Sequence, residues 1–366
     1  MPPDFDVHVC MVSDQAAPNL LPVLDAQFAP KNRRILMLVT PKMQENAAGL
    51  TGVFEDNGFK VETRSIDNQY DLNAIQGKLR EFLVAHEKEK VALNATGGTK
   101  IMALAAHAIF SLAKQPIFYV TEDNSIILIR GNEKSDIFAL KSKLTLKDYF
   151  GAYGYAVKER EYVHKQGFSD ELIQNQEKYL NALQLLNQSA RCGKKRLVSF
   201  KVQDLIPVRI LLELCKEYEL LDFTDDSVAF TDKNSRDYVC GNWLEAHTCA
   251  VVNSISESKR QTRAVQGVPI RKNDSPNELD VVFLANNAPY VIECKTALLE
   301  TEGGGDVLYK IDSITQKMGL RTKRMLVTYK NLDIPHKIRA AELRIRVVEG
   351  NELRNLKSHL EKWIAE

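Results

Sequence analysis

Short apolar runs that alternate with helical segments constrain the fold of this chain more than any other feature. Residues 7–12, 35–39 and 91–93 are short apolar runs in which His8 is the one polar residue, the pattern of strands covered on both faces. Residues 46–57, closed by Gly58, and residues 72–87 carry a helical period between them. Strand and helix in alternation predict an α/β fold with a parallel, Rossmann-like sheet. Residues 61–65, 117–120 and 126–130 read as its remaining strands.

Ligands of such sheets bind beyond the carboxyl ends of the strands. Three segments are expected there: Ser13-Asp14-Gln15 through Asn19, Thr40-Pro41-Lys42, and Asn94-Ala95-Thr96-Gly97-Gly98-Thr99-Lys100. The third runs straight into an apolar helix. Its glycines let a phosphate approach the backbone, Thr96 and Thr99 offer hydroxyls, the helix start offers partial positive charge, and Lys100 adds a full one. A tight strand-to-helix turn would use the same glycines for geometry alone. The loop has neither the GxGxxG spacing nor the four residues a Walker A motif places before Gly-Lys, which disfavours a nicotinamide cofactor and a nucleoside triphosphatase.

A second constellation lies near the other end. Residues 277–296 form two apolar runs around Asn286, Asn287 and Pro289, a predicted β-hairpin. Asp280 stands on the first strand, and Glu293 and Lys295 stand two apart on the second, so alternation puts all three on one face. Ile292 and Cys294 make the opposite face apolar. Carboxylates beside a buried sheet are costly unless compensated, and a hard divalent cation, Mg²⁺ or Mn²⁺, would compensate them. An exposed ion pair on a surface hairpin is the plainer alternative.

Composition sets outer limits. The 366 residues allow two or three domains. A net charge of +1 gives no global electrostatic case for nucleic acid, so any such surface is local. Six cysteines without CxxC or finger spacing are expected to be reduced core residues of a cytoplasmic protein. No basic leader with a long apolar run and no bilayer-length segment is seen, so no membrane role is expected.

Between the two constellations, residues 143–167 turn Tyr- and Gly-rich, which places a boundary near residue 145. A helix over 170–191, the basic break Gly193-Lys194-Lys195-Arg196, an amphipathic helix over 205–221 and a small hairpin over 221–230 follow. Helix then hairpin resembles a winged-helix wing, read here as a spacer. The expected domains are therefore 1–145, 146–235 and 236–366.

In the last of these, a helix begins around Gly241-Asn242-Trp243-Leu244-Glu245-Ala246-His247, with His247 two residues from Glu245 and so on another face. Glu278 is a further acid or a rim residue. Lys259, Arg260, Arg263, Arg271 and Lys272 are candidate phosphate contacts. Gly303-Gly304-Gly305 reads as a flexible loop, and a helix over 307–318 packs Leu308, Ile311 and Ile314 inward, leaving Lys310 and Gln316 able to reach the site. Residues 324–329 and 345–348 are predicted strands with a helix between them.

Asp280, Glu293-Cys294-Lys295 and about a dozen intervening residues resemble the PD-(D/E)xK nuclease superfamily, with Leu279 in place of the Pro before the Asp. The resemblance implies a restriction-endonuclease-like domain in which Asp280, Glu293 and the Cys294 carbonyl hold Mg²⁺ or Mn²⁺, Lys295 aligns or stabilises the attack, and Glu245 assists. The Asn94 to Lys100 loop resembles that of CARF domains, the CRISPR-associated Rossmann folds that sense cyclic oligoadenylates. By that resemblance Ser13, Gln15, Asn19, Thr40, Asn94, Thr96, Gly97, Gly98, Thr99 and Lys100 contact the ligand across a two-fold axis, since a symmetric ring suits an isologous dimer.

Taken in order, the motifs cover nearly the whole chain and look like the CARF-containing ancillary nucleases of type III CRISPR systems. The implied function is a homodimeric, metal-dependent endonuclease acting on single-stranded RNA or DNA, or nicking supercoiled DNA, when cyclic tetra-adenylate binds. Two rival readings are a ring nuclease that degrades its own ligand in the N-terminal pocket, and a ligand-responsive nucleic-acid-binding regulator without catalysis.

Overall fold

In the N-terminal third, β1 (Val7–Met11), β2 (Arg34–Val39), β3 (Lys60–Ser65), β4 (Val91–Asn94) and β5 (Ile117–Val120) alternate with α1 (Ala17–Val23), α2 (Gln44–Asp56), α3 (Leu72–Ala85) and α4 (Lys100–Leu112). β6 (Ser125–Ile129), β7 (Asp136–Ala139) and α5 (Leu146–Gly151) follow. The computed structural model describes residues 2–129, 135–157, 163–192, 197–199, 202–225, 227–255, 262–272, 275–296 and 303–366. Among them the first sheet has the order β3-β2-β1-β4-β5-β6-β7. It is parallel from β3 to β5 and antiparallel from there to β7. The expected Rossmann-like sheet is present, and the order reverses between β1 and β4, the place where such sheets open a crevice.

Both faces are covered, as uninterrupted apolar strands require. Val7 and Val9 point to a cluster with Leu79, Phe82, Met102 and Phe110, and Cys10 points to one with Leu20, Leu50 and Phe54. Each fully buried Val, Leu or Phe contributes about 1.5–3 kcal/mol relative to exposure. β3, at the sheet edge, exposes Lys60 and Glu62, charges that discourage pairing with another chain.

The middle segment differs from expectation in two ways. Residues 170–191 do not form one helix: α6 (Gln166–Gln174) and α7 (Gln176–Cys192) meet at Asn175. The hairpin of β9 (Leu221–Phe223) and β10 (Ser227–Phe230), which follows α8 (Val202–Glu217), gains a third strand from before that helix, β8 (Leu197–Ser199), in the order β8-β10-β9. Just beyond residue 145, Leu146, Tyr149, Phe150 and Tyr155 bury into the N-terminal core. The basic break at 193–196 lies outside the described residues.

The C-terminal part begins with α9 (Lys233–Asp237) and α10 (Trp243–Ile255), the latter entered through a wide turn over Tyr238–Asn242. β11 (Val265–Lys272), β12 (Ser275–Ala285), β13 (Ala288–Lys295), β14 (Lys323–Thr328) and β15 (Ile345–Glu349) form the third sheet in that order. α11 (Gly303–Thr315), α12 (Ile334–Glu342) and α13 (Leu356–Ala365) complete it. The predicted hairpin is β12 and β13, paired antiparallel. Gly303-Gly304-Gly305 is not a loop but the first turn of α11, a helix held down by buried Leu308 and Ile311.

Alternation along the hairpin divides its side chains between two cores. Val281, Phe283, Tyr290, Ile292 and Cys294 join a cluster with α10, α13 and helices of the middle segment, including Leu172, Leu186 and Leu211. Val282, Leu284 and Val291 face the other way and join the N-terminal core, where Phe118 and Tyr149 also lie. The three expected domains thus share two continuous apolar clusters.

Candidate functional site

On the face that carries Val282 and Val291, the next residues in alternation are Asp280, Glu293 and Lys295. The hairpin therefore brings the three together as expected; Asp280 and Glu293 are buried, 8% and 2% exposed, and Lys295 is partly exposed. The Lys295 ammonium lies 2.7 Å from Glu293 Oε1, 3.4 Å from Asp280 Oδ2 and 3.1 Å from the Cys294 carbonyl oxygen. Asp280 Oδ2 also accepts the Cys294 amide at 2.7 Å. The Cys294 side chain points into the opposite core, toward Thr248. A second cation arrives from α11, where Lys310 Nζ lies 3.1 Å from Glu293 Oε1.

Glu245 stands behind this group on the first turn of α10 and is held through Oε2 by Gln266 of β11 at 3.2 Å. Burial, then the nearby Asp280 charge, pushes its pKa up to about 8. Burial, then Glu293, pushes Asp280 up to about 6. Burial works against the Lys295 charge, yet Asp280 and Glu293 hold its pKa above the usual value. Two crowded acids beside a clamped ammonium mark a site short of positive charge.

Among the described residues no three His, Cys, Asp or Glu side chains surround one point. The donor set is instead Asp280 Oδ2, Glu293 Oε1 and the Cys294 carbonyl, three oxygens that converge on one ammonium. Oxygen donors of this kind suit Mg²⁺ or Mn²⁺, and Lys295 stands in for the cation. The residues fit such an ion.

Other sequence candidates fall elsewhere. His247 is buried on α10, 3.9 Å from Asp170, and burial lowers its pKa to about 4. Glu278 is exposed at the rim, as is Arg263. Lys259 and Arg260 lie outside the described residues, as do the side chains of Arg271 and Lys272. Gln316 does not reach the hairpin: it donates to Asp312 and borders a cavity on the N-terminal sheet. Gln266 was missed because β11 has no uninterrupted apolar run, and a Gln opposite Val281 gives no signal of its own.

That cavity, about 720 Å³, opens at the ends of β1 and β4 and is lined by Ser13, Gln15, Thr96, Gly97 and Gly98 among others. Gly97 is required by close approach, since a Cβ there would lie 2.2 Å from the Met11 carbonyl oxygen. The remaining candidates do not line it. Asn19 and Asn94 are fully buried and hydrogen-bonded to each other at 3.3 Å; Asn19 donates to Met11 O and Asn94 to Pro18 O. Asn94 Oδ1 also accepts from the Thr96 amide and hydroxyl. Thr40 is buried at the start of a short helical turn. Thr99 caps α4 by accepting from the Met102 amide, and Lys100 follows it, exposed.

The cavity has a second wall that sequence did not foreshadow. Tyr149 and Tyr153 stand behind it, and Lys317, Leu320 and Arg321 come from the turn after α11. Tyr149 donates to Met318 O at 2.7 Å, and the Leu320 amide donates to Gln15 Oε1 at 3.0 Å. Gly319, at φ 101°, passes so close that a Cβ would lie 2.6 Å from the Tyr149 hydroxyl oxygen and 2.7 Å from that of Tyr153.

Two family profiles match the chain. One described as the Card1 CARF domain covers residues 7–149, and one described as the Card1-like endonuclease domain covers residues 232–366. Among solved structures, protein VC1899 from Vibrio cholerae is similar with a TM-score of 0.83 and 23% identity, covering 98% of each chain. Can2 from Sulfobacillus thermosulfidooxidans, solved in complex with cyclic tetra-adenylate, is similar with a TM-score of 0.80 and 28% identity, covering 98% of this chain and 99% of that one. A type III CRISPR defence DNA nuclease activated by cyclic oligoadenylate shares the fold more loosely, with a TM-score of 0.57 and 19% identity over 90% of this chain and 46% of that one. No protein with a curated description matches.

Proposed function

Because the chain belongs to the CARF-domain nucleases of the Card1 kind, we propose that it is a metal-dependent endonuclease of type III CRISPR defence, switched on by cyclic tetra-adenylate bound at the β1 and β4 loops. The observation that carries the catalytic half is the convergence of Asp280 Oδ2, Glu293 Oε1 and the Cys294 carbonyl on one cation position. The ligand half is supported by the cavity at Ser13, Gln15 and Thr96 to Gly98 and by the cyclic tetra-adenylate bound to the similar Can2.

Asp280, Glu293 and the Cys294 carbonyl would hold Mg²⁺ or Mn²⁺, which when bound polarises the phosphate and makes water a better nucleophile at neutral pH. With these oxygens committed to the ion, Lys295 would be released from the contacts it now makes. Lys295 then serves the phosphate, stabilising charge that grows on its oxygens during attack. Lys310 neutralises the Glu293 side of the site. Glu245, tethered by Gln266 and raised in pKa by burial and the Asp280 charge, assists from the first turn of α10. The substrate is single-stranded RNA or DNA, or supercoiled DNA that is nicked. A symmetric ring presents the same face twice, so two copies of the chain would enclose it as a homodimer. Among the described residues no helix is long and apolar enough to cross a membrane.

The test is cleavage of single-stranded RNA, single-stranded DNA and supercoiled plasmid, each with and without cyclic tetra-adenylate and Mn²⁺, using wild type and Glu293→Ala. Ligand-stimulated cleavage lost in Glu293→Ala supports the reading. Cleavage that survives this substitution, or no cleavage under any condition, sinks it.

A further inference from the structure

The cavity at the ends of β1 and β4 has an uneven charge distribution. Asp14, Glu45 and Glu122, all from the N-terminal domain, line it. The cations among its lining residues are Lys317 and Arg321, and both come from the nuclease domain. A ring of phosphodiesters carries one negative charge per nucleotide, and three carboxylates would repel it. We propose that the nuclease domain completes the ligand site, with Lys317 and Arg321 contacting the ring phosphates, so that each bound ligand touches both domains of one protomer. This rests on the cyclic-oligoadenylate reading given above.

The geometry supports contact over mere proximity. Arg321 is held in place, its Nη1 donating to Asn124 Oδ1 at 2.8 Å and its Nη2 to Asn286 O at 3.3 Å. A guanidinium so oriented retains further N–H groups for a phosphate. Lys317 is exposed on the helical turn Gln316–Met318 that extends α11. The Leu320 amide is bonded to Gln15, a cavity-lining side chain that a ligand would engage. The same helix carries Lys310 to Glu293. A ligand that pulls on Lys317 and competes for Gln15 therefore acts on an element that also carries Lys310 against Glu293.

Binding of fluorescently labelled cyclic tetra-adenylate to the full-length protein tests this. The wild type, Lys317→Ala, Lys317→Arg and Arg321→Ala would be compared at two salt concentrations. Loss of one charged contact is expected to weaken binding roughly tenfold in Lys317→Ala and Arg321→Ala, with a shallower salt dependence. Lys317→Arg should restore affinity. Should both alanine variants bind like wild type, the nuclease domain does not contact the ligand and the proposal falls while the sensor reading stands. A wild type that binds no cyclic tetra-adenylate removes the sensor reading, and this proposal with it.

Discussion

Lys295 and Glu293 lie two residues apart on β13 with ammonium and carboxylate 2.7 Å from one another, at the buried end of a strand whose alternate residues fill an apolar core. The same Glu293 oxygen receives Lys310 from α11, so one acid collects cations from two elements. The two lysines should separate kinetically. Lys295→Met is expected to slow single-turnover cleavage by roughly 10³-fold, the scale for losing a group that stabilises transition-state charge. Lys310→Met should act chiefly through Glu293 and cost roughly tenfold. Equal losses would mean that both touch the phosphate.

Stability without added metal should depend on pH in a particular direction. Asp280 and Glu245 have pKa values raised to about 6 and about 8, from usual values of 3.8 and 4.5. The folded state holds their protons more tightly than the unfolded chain, so stability is greatest below about pH 4 from these groups and is lost as pH rises through 6 and then 8. Melting in chelator should therefore fall from pH 5.5 to 8.5 in the wild type by more than in an Asp280→Asn, Glu245→Gln variant. Parallel curves for the two proteins would contradict the assignment.

A divalent cation should reverse that penalty. At pH 8, Mn²⁺ is expected to raise the melting temperature of wild type, because a ligand that binds only the folded state stabilises it. At a concentration one hundred times its dissociation constant the gain is about 2.7 kcal/mol. Asp280→Asn should lose most of this gain while folding normally. Unchanged Mn²⁺ stabilisation in that variant would exclude Asp280 as a ligand.

Gly319 should tolerate no side chain. At φ 101° and with two tyrosine hydroxyls where a Cβ would stand, Gly319→Val is expected to cost about 2–4 kcal/mol through backbone strain and overpacking. Urea unfolding measures this directly. A midpoint equal to wild type would show that the turn re-routes without cost.

Asn94 is expected to behave as scaffold. Its amide bridges Pro18 and Asn19 and its oxygen orients Thr96, so Asn94→Ala strands buried partners at about 1–3 kcal/mol. The ligand affinity should then weaken together with stability. Weaker binding at unchanged stability would instead indicate direct contact.

The sheets and the hairpin were legible because strand and helix periods are local. Val7 to Met11 reads as a buried strand from its own side chains, and Asp280, Glu293 and Lys295 share a face by counting alone. What required partners distant in the chain was not legible. Asn19 and Asn94 resemble ligand-reading amides until the hydrogen bond between them is seen. The Tyr/Gly-rich segment has the composition of a linker, yet Tyr149 is buried and bonded to Met318, 169 residues away. The three glycines at 303–305 favour a loop on intrinsic preference, and burial of Leu308 and Ile311 overrides it.

Val282, Leu284 and Val291 of the nuclease hairpin share a core with Phe118 and Tyr149 of the sensor. Neither half can be exchanged for a foreign counterpart unless the newcomer carries a matching apolar face. A recombination event that grafts another effector onto this sensor must also supply a partner for Tyr149 and a glycine at the turn it grips. In this chain the two halves are thus tied by packing as well as by the chemistry each performs.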